Sequence, residues 1–499
     1  MKYRNKEKFY IALIFGIVTL LNIYAAIHHT MWRDETQAWL IARDTYLRAD
    51  SLFSVTSYEG HPFLWFVVLM PFAKLGFPAW TLKVLSLVFI TVALALFLLK
   101  TEYSIGIKAL VAISPIYLYS LVVPARSYSL AALLMTCIIV VYKDRNRKPL
   151  LYAIFLALLL QTLTIYGGFV FACGLMWFIE TCIEIKNREV KVTEVINRIL
   201  GMVLVFSSGV FLLWEFRYTN AVVNESECKP VEALFALFRE GCSDLESLFG
   251  KGYLIVFTIS IVLLILLFQK KAPSFFQTIV ILFLAIGWQV YIYTFVYFAS
   301  KFRLVSWLLF ILLAITMSYE YIESYKHFLF VFIAIMMILS AYSVNSWSIS
   351  EFKKNYTYSQ SKEIADAISE LPTDAVVFIS SSEYCSPVVA QVSVDRNIYN
   401  PFNRKIASYV DRNPEKSEGM TYEEFIRTVE EMFPGIADCY VIVNSGELVH
   451  DYGIEYYGVR IEGLCENVKE GYTCFEKIYE NTAEIVLQDS FYLLKINLN

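Results

Sequence analysis

The chain is predicted to be a polytopic α-helical membrane protein of about eleven spans that ends in a soluble α/β domain. Three observations predict this. Of 499 residues, 57% are hydrophobic and 18% charged, against roughly 25% charge in an average soluble protein, and the mean hydropathy is +0.53. The apolar residues fall in runs close to the length a bilayer requires, about 17 to 25 residues. The formal net charge of −4 also conceals two unlike parts. From Glu351 onward about 25 acidic and about 13 basic residues give roughly −12, leaving about +8 for the rest.

The first run covers residues 9–27. No small-residue cleavage site follows it, so a retained helix is expected rather than a signal peptide. Further spans are expected at 80–99, 109–123, 128–142, 150–166, 167–185, 199–216, 253–268, 275–297, 304–319 and 328–342. Residues 62–77 are apolar but short and carry Pro62, Pro71 and Lys74. Proline deletes a helical hydrogen bond, so this run reads as a broken or re-entrant segment at the membrane surface.

Basic clusters set the orientation. Lys2, Arg4, Lys6 and Lys8 keep the N-terminus cytoplasmic; Lys100 and Lys108, then Lys143, Arg145, Arg147 and Lys148, then Lys186, Arg188 and Lys191, then Lys270 and Lys271 agree with that parity. Residues 28–79 become a first exported loop with surface helices, and 217–252 a second, with a short amphipathic helix at 231–238. The tip of the 109–142 hairpin, Pro124-Ala125-Arg126, also faces outward. A rival of equal parity lets 62–77 span and makes 109–142 one helix, which buries Arg126 near mid-membrane at a cost of several kcal/mol. The hairpin is therefore preferred. Residues 1–349 form the membrane module of an integral plasma-membrane protein, and 350–499 an extracytoplasmic domain.

In that domain, helix periodicity appears at 361–371 and 422–432, and strand patterns at 375–380, 439–443, 484–487 and 490–496. The nine cysteines divide by environment. Cys137, Cys173 and Cys182 lie in apolar runs, Cys228 and Cys242 in one polar loop, and Cys385, Cys439, Cys465 and Cys474 in the acidic tail. Even numbers in the two polar regions fit disulfides in an oxidising compartment and fit unpaired thiols equally well.

Candidate chemistry gathers on the exported side. Trp32-Arg33-Asp34-Glu35 follows the first span and opens a helix-like stretch, 35–47. Asp34 suits a general base that takes a proton from an acceptor hydroxyl, although an N-terminal helix cap is the plainer use of an aspartate there. Tyr58-Glu59-Gly60-His61-Pro62 lies in the same loop. Glu59 fits an acid that orients an acceptor or helps hold a divalent cation, and His61 a donor to a leaving phosphate. A solvated turn built on Gly60 and Pro62 is the plainer use of the segment. Arg126, and Arg303 in Lys301-Phe302-Arg303, are cations on the face where positive charge is rarer; a guanidinium fork suits a phosphate.

The absences narrow the class. The chain has no phosphate-binding glycine loop for ATP and no His-Glu-x-x-His helix, and its five histidines form no metal pattern. It shows no basic stripe with interleaved aromatics, so nucleic acid is not an expected partner.

In combination these segments resemble the GT-C glycosyltransferase superfamily, and are most similar to bacterial relatives of the protein O-mannosyltransferases and of the aminoarabinose transferase that modifies lipid A. The matching residues are Trp32-Arg33-Asp34-Glu35-Thr36-Gln37-Ala38, Glu59-Gly60-His61-Pro62-Phe63-Leu64, Ala125-Arg126-Ser127-Tyr128-Ser129-Leu130, and Gln161-Thr162 to Tyr166-Gly167-Gly168. The resemblance covers residues 9–342 and is strongest in the first exported loop. It implies an inverting sugar transfer from a polyprenyl-phosphate donor on the outer side of the membrane. Asp34 would be the catalytic acid/base residue, and Arg126 and Arg303 would hold the lipid phosphate. Glu35, Glu59, His61, Tyr128 and Lys301 would line the substrate site. The chain departs from the family pattern at Phe63, where relatives carry a second proline, and at Thr164-Ile165, where they often carry His before Tyr-Gly. No metal motif is matched, so metal dependence stays open, as does the acceptor: glycan, lipid or protein. A transporter or lipid flippase is the rival class, and a non-catalytic scaffold presenting the tail a third. Transporters often show repeated halves and mid-span charges, whereas here the charges gather on one face.

Overall fold

The computed structural model describes residues 2–217 except 115, 120, 122 and 188–190; 280–288 except 282 and 286; and 359–413 except 394, 419–444, 461–462, 464, 475–481 and 491–498. The expected spans at 253–268, 304–319 and 328–342, most of 275–297, the loop 217–252 beyond its first residue, the strand 484–487, and Lys301, Arg303, Cys228, Cys242, Cys465 and Cys474 lie outside the described residues.

Among the described residues, four helices are long and apolar enough to cross a membrane. They belong to α1 (Lys2–His28), α5 (Thr81–Lys100), α9 (Gly167–Lys186) and α10 (Val192–Glu215), where runs at 9–27, 80–99, 167–185 and 199–216 were expected. Leu20, Ile27, Phe206 and Leu213 are all exposed. Apolar surface of that extent has no place in water, and lipid is the solvent that suits it. Between α1 and α5 run three shorter helices, α2 (Arg33–Asp44), α3 (Leu52–Glu59) and α4 (Leu64–Lys74). α4 contains Pro71 and has 11 residues, too few to span.

The region after α5 departs from expectation. Residues 109–123 do not form one helix: α6 (Ile105–Ala112) stops, and the chain turns until α7 (Tyr128–Val141) begins. α7 has 14 residues, about 21 Å of helix against a hydrocarbon core of about 30 Å. The rival single helix over 109–142 does not form either. The physical reason is local. Ser114 Oγ donates to Val111 O at 2.6 Å and accepts from Ile116 N at 3.3 Å, so a turn replaces the helical bonds next to Pro115 in the sequence. Backbone that leaves a helix among apolar neighbours must find other partners. Asn22 of α1, only 1% exposed, supplies two: its Nδ2 donates to Tyr117 O at 2.7 Å, and its Oδ1 accepts from Tyr119 N at 3.0 Å. Tyr119 sits at φ +66° and Tyr117 Oη bonds Thr136 Oγ1 at 2.8 Å, so the break is a built feature.

The run 150–166 also ends early. α8 (Pro149–Leu160) gives way to a turn, and a short 3₁₀ segment, Thr164–Tyr166, leads into α9. Trp288 packs there, donating Nε1 to Thr164 O at 2.7 Å. A Cβ on Gly168 would stand 2.2 Å from the Cβ of Trp288, so this close approach requires glycine.

The C-terminal region folds as a six-stranded mixed sheet in the order β3-β2-β1-β5-β8-β7. Its strands are β1 (Val377–Ile379), β2 (Ile398–Asn400), β3 (Lys405–Ile406), β5 (Asp438–Asn444), β7 (Phe475–Asn481) and β8 (Phe491–Asn497); β4 (Met420–Thr421) pairs separately with β6 (Ile461–Glu462). Three helices join them: α11 (Ser361–Glu370), α12 (Ser382–Gln391) and α13 (Tyr422–Met432). Side chains alternate across the sheet. Val377, Ile379 and Ile442 join α11, α12 and the helices of the N-terminal half in one core; Phe378, Val441 and Val443 join Phe425 and Val429 of α13 in another. α12 packs on α2, so the sheet lies against the first inter-span segment. Cys385 and Cys439 are buried and outside any disulfide, and Cys385 Sγ donates to Ile442 O at 3.5 Å.

Candidate active site

The site begins with how α2 starts. Trp32 is extended (φ −108°, ψ 177°) and the helix opens at Arg33. Its first amides need acceptors. Glu35, the third helical residue, reaches back so that its Oε2 accepts from Trp32 N at 2.9 Å. The same oxygen accepts from His29 Nε2 at 2.9 Å, and Oε1 accepts from Ala125 N. One fully buried carboxylate thus ties together the end of α1, the start of α2 and the break before α7. Lys83 Nζ of α5 donates to His29 O and holds the same corner. His28, by contrast, is exposed.

Asp34 is one residue earlier and faces elsewhere. It is the second residue of α2 and does not serve as its cap. Its Oδ2 accepts from Arg126 Nη1 at 2.9 Å, its Oδ1 lies 3.7 Å from Arg33 Nε, and 27% of the side chain stays open to solvent. The other arm of the Arg126 fork donates from Nη2 to His61 Nε2 at 2.8 Å. Guanidinium has no acceptor, so His61 Nε2 must be the acceptor and the ring proton resides on Nδ1. The Arg126 guanidinium carbon lies 5.4 Å from the ring centroid of Tyr128, the first residue of α7.

Glu59 closes the group. It ends α3, and Gly60 at φ +70° terminates that helix in the left-handed conformation glycine favours. The Glu59 side chain is 5% exposed. Its Oε1 accepts from Gln37 Nε2 at 2.6 Å and lies 3.5 Å from Arg412 Nε. Gln37 Nε2 also donates to Val410 O, and Val410 N donates to Gln37 Oε1, both at 2.9 Å.

Electrostatics separate the titratable groups. Burial pushes Asp34 upward, but Arg126, Arg33 and Arg412 outweigh it and hold the carboxyl below its ordinary 3.8. Burial raises Glu59 above 4.5 despite Arg412 and the Gln37 hydrogen bond, and the charge of Asp34 adds to the rise. Burial, then the Arg126 charge, bring His61 down to about 3. At neutral pH the group presents an ionised Asp34 and a neutral His61.

Of the residues predicted from sequence, Asp34, Glu59, His61, Arg126 and Tyr128 come together. Glu35 does not share their open surface: its carboxylate is sealed by three donors. His61 is an acceptor toward Arg126 rather than a free donor. Lys301 and Arg303 lie outside the described residues. No group of three or more His, Cys, Asp or Glu able to hold a metal occurs among the described residues. Gln37 was visible only as part of the Trp32–Ala38 run, and Val410 and Arg412, in an irregular polar stretch, carried no signal at all.

No family model and no curated protein matches this chain. Among solved structures it is similar to ArnT from Cupriavidus metallidurans in a crystal structure bound to undecaprenyl phosphate, over 97% of this chain and 97% of that chain, with a TM-score of 0.41 and 8% identity.

Proposed function

We propose that the chain is a GT-C-type membrane glycosyltransferase that moves a sugar from a polyprenyl-phosphate donor to an acceptor hydroxyl on the outer face of the membrane, with inversion and with Asp34 as general base. The observation that carries this reading is the Arg126 fork, which reaches Asp34 with one arm and His61 with the other. Three sequence segments that resemble one transferase family thereby meet at one guanidinium.

The chemistry follows from the parts. The donor phosphate engages Arg126, whose fork matches phosphate oxygens. That contact relieves the pull on Asp34, which is a weak base while paired with Arg126 and a stronger one once released. The acceptor oxygen attacks the anomeric carbon from the face opposite the phosphate, the bond from that carbon to the phosphate oxygen breaks, and the hydroxyl proton passes to Asp34. The leaving polyprenyl phosphate gains a negative charge, which Arg126 compensates where it forms. Lys301 and Arg303 complete the donor site in this reading, Tyr128 braces Arg126, and Glu59 orients the acceptor. The N-terminus is cytoplasmic, residues 1–349 form a multi-pass membrane module, and residues 350–499 stand outside.

The test is sugar transfer from polyprenyl-phosphate sugars by the full chain in proteoliposomes. Wild type transfers and Asp34→Asn does not. Full transfer by Asp34→Asn removes Asp34 from the mechanism. Lipid movement across the bilayer without any transfer by wild type would establish the flippase reading instead.

A further inference from the structure

We infer that the C-terminal region completes this site, with Arg412 serving as a second binding residue for the donor phosphate opposite Arg126. The inference rests on the transferase reading above and adds to it a residue that lies more than 280 positions beyond Arg126 in the chain.

The first support is how Arg412 is delivered. The Gln37 side chain binds both the N–H and the C=O of Val410 at 2.9 Å, as a neighbouring strand would. A backbone held at donor and acceptor together has its register fixed, and the residue two positions on arrives beside Glu59, with 3.5 Å between Arg412 Nε and Glu59 Oε1. Further bonds hold the same interface: Ser408 Oγ donates to Asp44 Oδ2, and Ser361 Oγ to Met31 O at 2.9 Å. The placement is over-determined, as a binding site requires.

Charge is the second support. The group holds two carboxylates, Asp34 and Glu59, and three guanidiniums, Arg33, Arg126 and Arg412. His61 is neutral there. With both carboxylates ionised, Arg33 and Arg126 only balance them, and Arg412 supplies the surplus positive charge. A sugar phosphodiester carries one negative charge and the phosphate it releases carries more, so the surplus has the sign this reaction needs. Arg412 keeps 34% of its side chain open, against 5% for Glu59, so the cation rather than the acid faces the entering ligand. Its charge is also felt at Asp34 and at His61, which lie on the Arg126 side of the group.

A purely structural ion pair would bind Glu59 and do nothing for a ligand, and the experiment separates the two. Binding of polyprenyl monophosphate to the full chain in nanodiscs is measured at several salt concentrations, with donor and acceptor KM and kcat measured beside it. Arg412→Gln weakens phosphate binding about tenfold or more, flattens its salt dependence and raises donor KM, with acceptor KM unmoved. Arg412→Lys recovers most of the binding. Lys362→Gln, which removes an exposed cation of α11 that pairs with Asp366, leaves binding unchanged. Should Arg412→Gln not fold, E59Q/R412Q compared with E59Q makes the same comparison without stranding a buried charge. Wild-type binding that Arg412→Gln, or the double variant relative to E59Q, leaves intact overturns this inference and spares the transferase reading. A wild type that does not bind polyprenyl monophosphate overturns both.

Discussion

Two of the joints that α2 makes with the rest of the chain are built on opposite principles. At its N-terminus it meets the break before α7 through charge, where Asp34 and Arg126 pair at 2.9 Å with part of each side chain open to water. One turn on it meets the C-terminal region through Gln37 and Val410, a neutral, buried, reciprocal pair of amides. The charged contact can be exchanged for a ligand, because a phosphate offers Arg126 what Asp34 offers it. The amide contact offers a ligand nothing, and opening it leaves two backbone groups without partners. A single helix thus carries one joint suited to chemistry and one suited to architecture, and Glu35, sealed by three donors beside the first, sets where the chemical joint begins.

Substitutions that blur this division should have unequal effects. Asp34→Asn should lower kcat by about 10³-fold, within the range for loss of a general base, while the unfolding temperature stays within a degree or two. A large loss of folded protein would instead make Asp34 architectural. Glu35→Ala should do the reverse. It strands Trp32 N–H, His29 Nε2–H and Ala125 N–H, costs about 3–5 kcal/mol and appears as lost folded yield on size-exclusion chromatography. Gln37→Leu keeps the volume and removes the amide. A cost of about 2–3 kcal/mol is expected, with faster proteolysis of the C-terminal region and the N-terminal half left intact.

The last effect is on pH dependence. His61 titrates near 3 in the folded chain and near 6.5 when unfolded, so the unfolded chain takes up the proton first. Its contribution to stability is therefore whole above about 6.5 and declines as pH falls toward 3. Thermal unfolding between pH 7 and pH 4 should show a shallower decline in His61→Gln than in wild type. Equal slopes would mean that His61 keeps its ordinary pKa in the folded chain.

The two joints were not equally legible. The charged one was written in short local patterns: a carboxylate just past a span, Glu59-Gly60-His61-Pro62, and an arginine between two apolar runs. Such patterns survive because each is set by a helix end or a turn. Strong periodicity was also readable, so the helix expected at 361–371 forms at Ser361–Glu370, that at 422–432 at Tyr422–Met432, and the strand at 490–496 at Phe491–Asn497. The amide joint was not readable, because Gln37 and Val410 are 373 residues apart and neither residue type signals a partner. Helix α12, with Pro387 in its interior, and the two-residue strands β3, β4 and β6 were missed for a related reason: tertiary packing decides such elements more than propensity does. Hydropathy failed at 109–123, where composition suits a span and a serine turn overrides it.

Asn22 gives that failure a wider meaning. A hydropathy scale scores it as a blemish in α1, and leucine there would make a better span. Yet the blemish is what allows a neighbouring segment to be irregular among greasy helices, since a single amide stands in for two missing rungs of helical ladder. Insertion into a bilayer and the display of Arg126 therefore place opposing demands on the same position. A chain optimised only to sit in lipid would straighten residues 105–141 and draw the arginine out of reach of its aspartate.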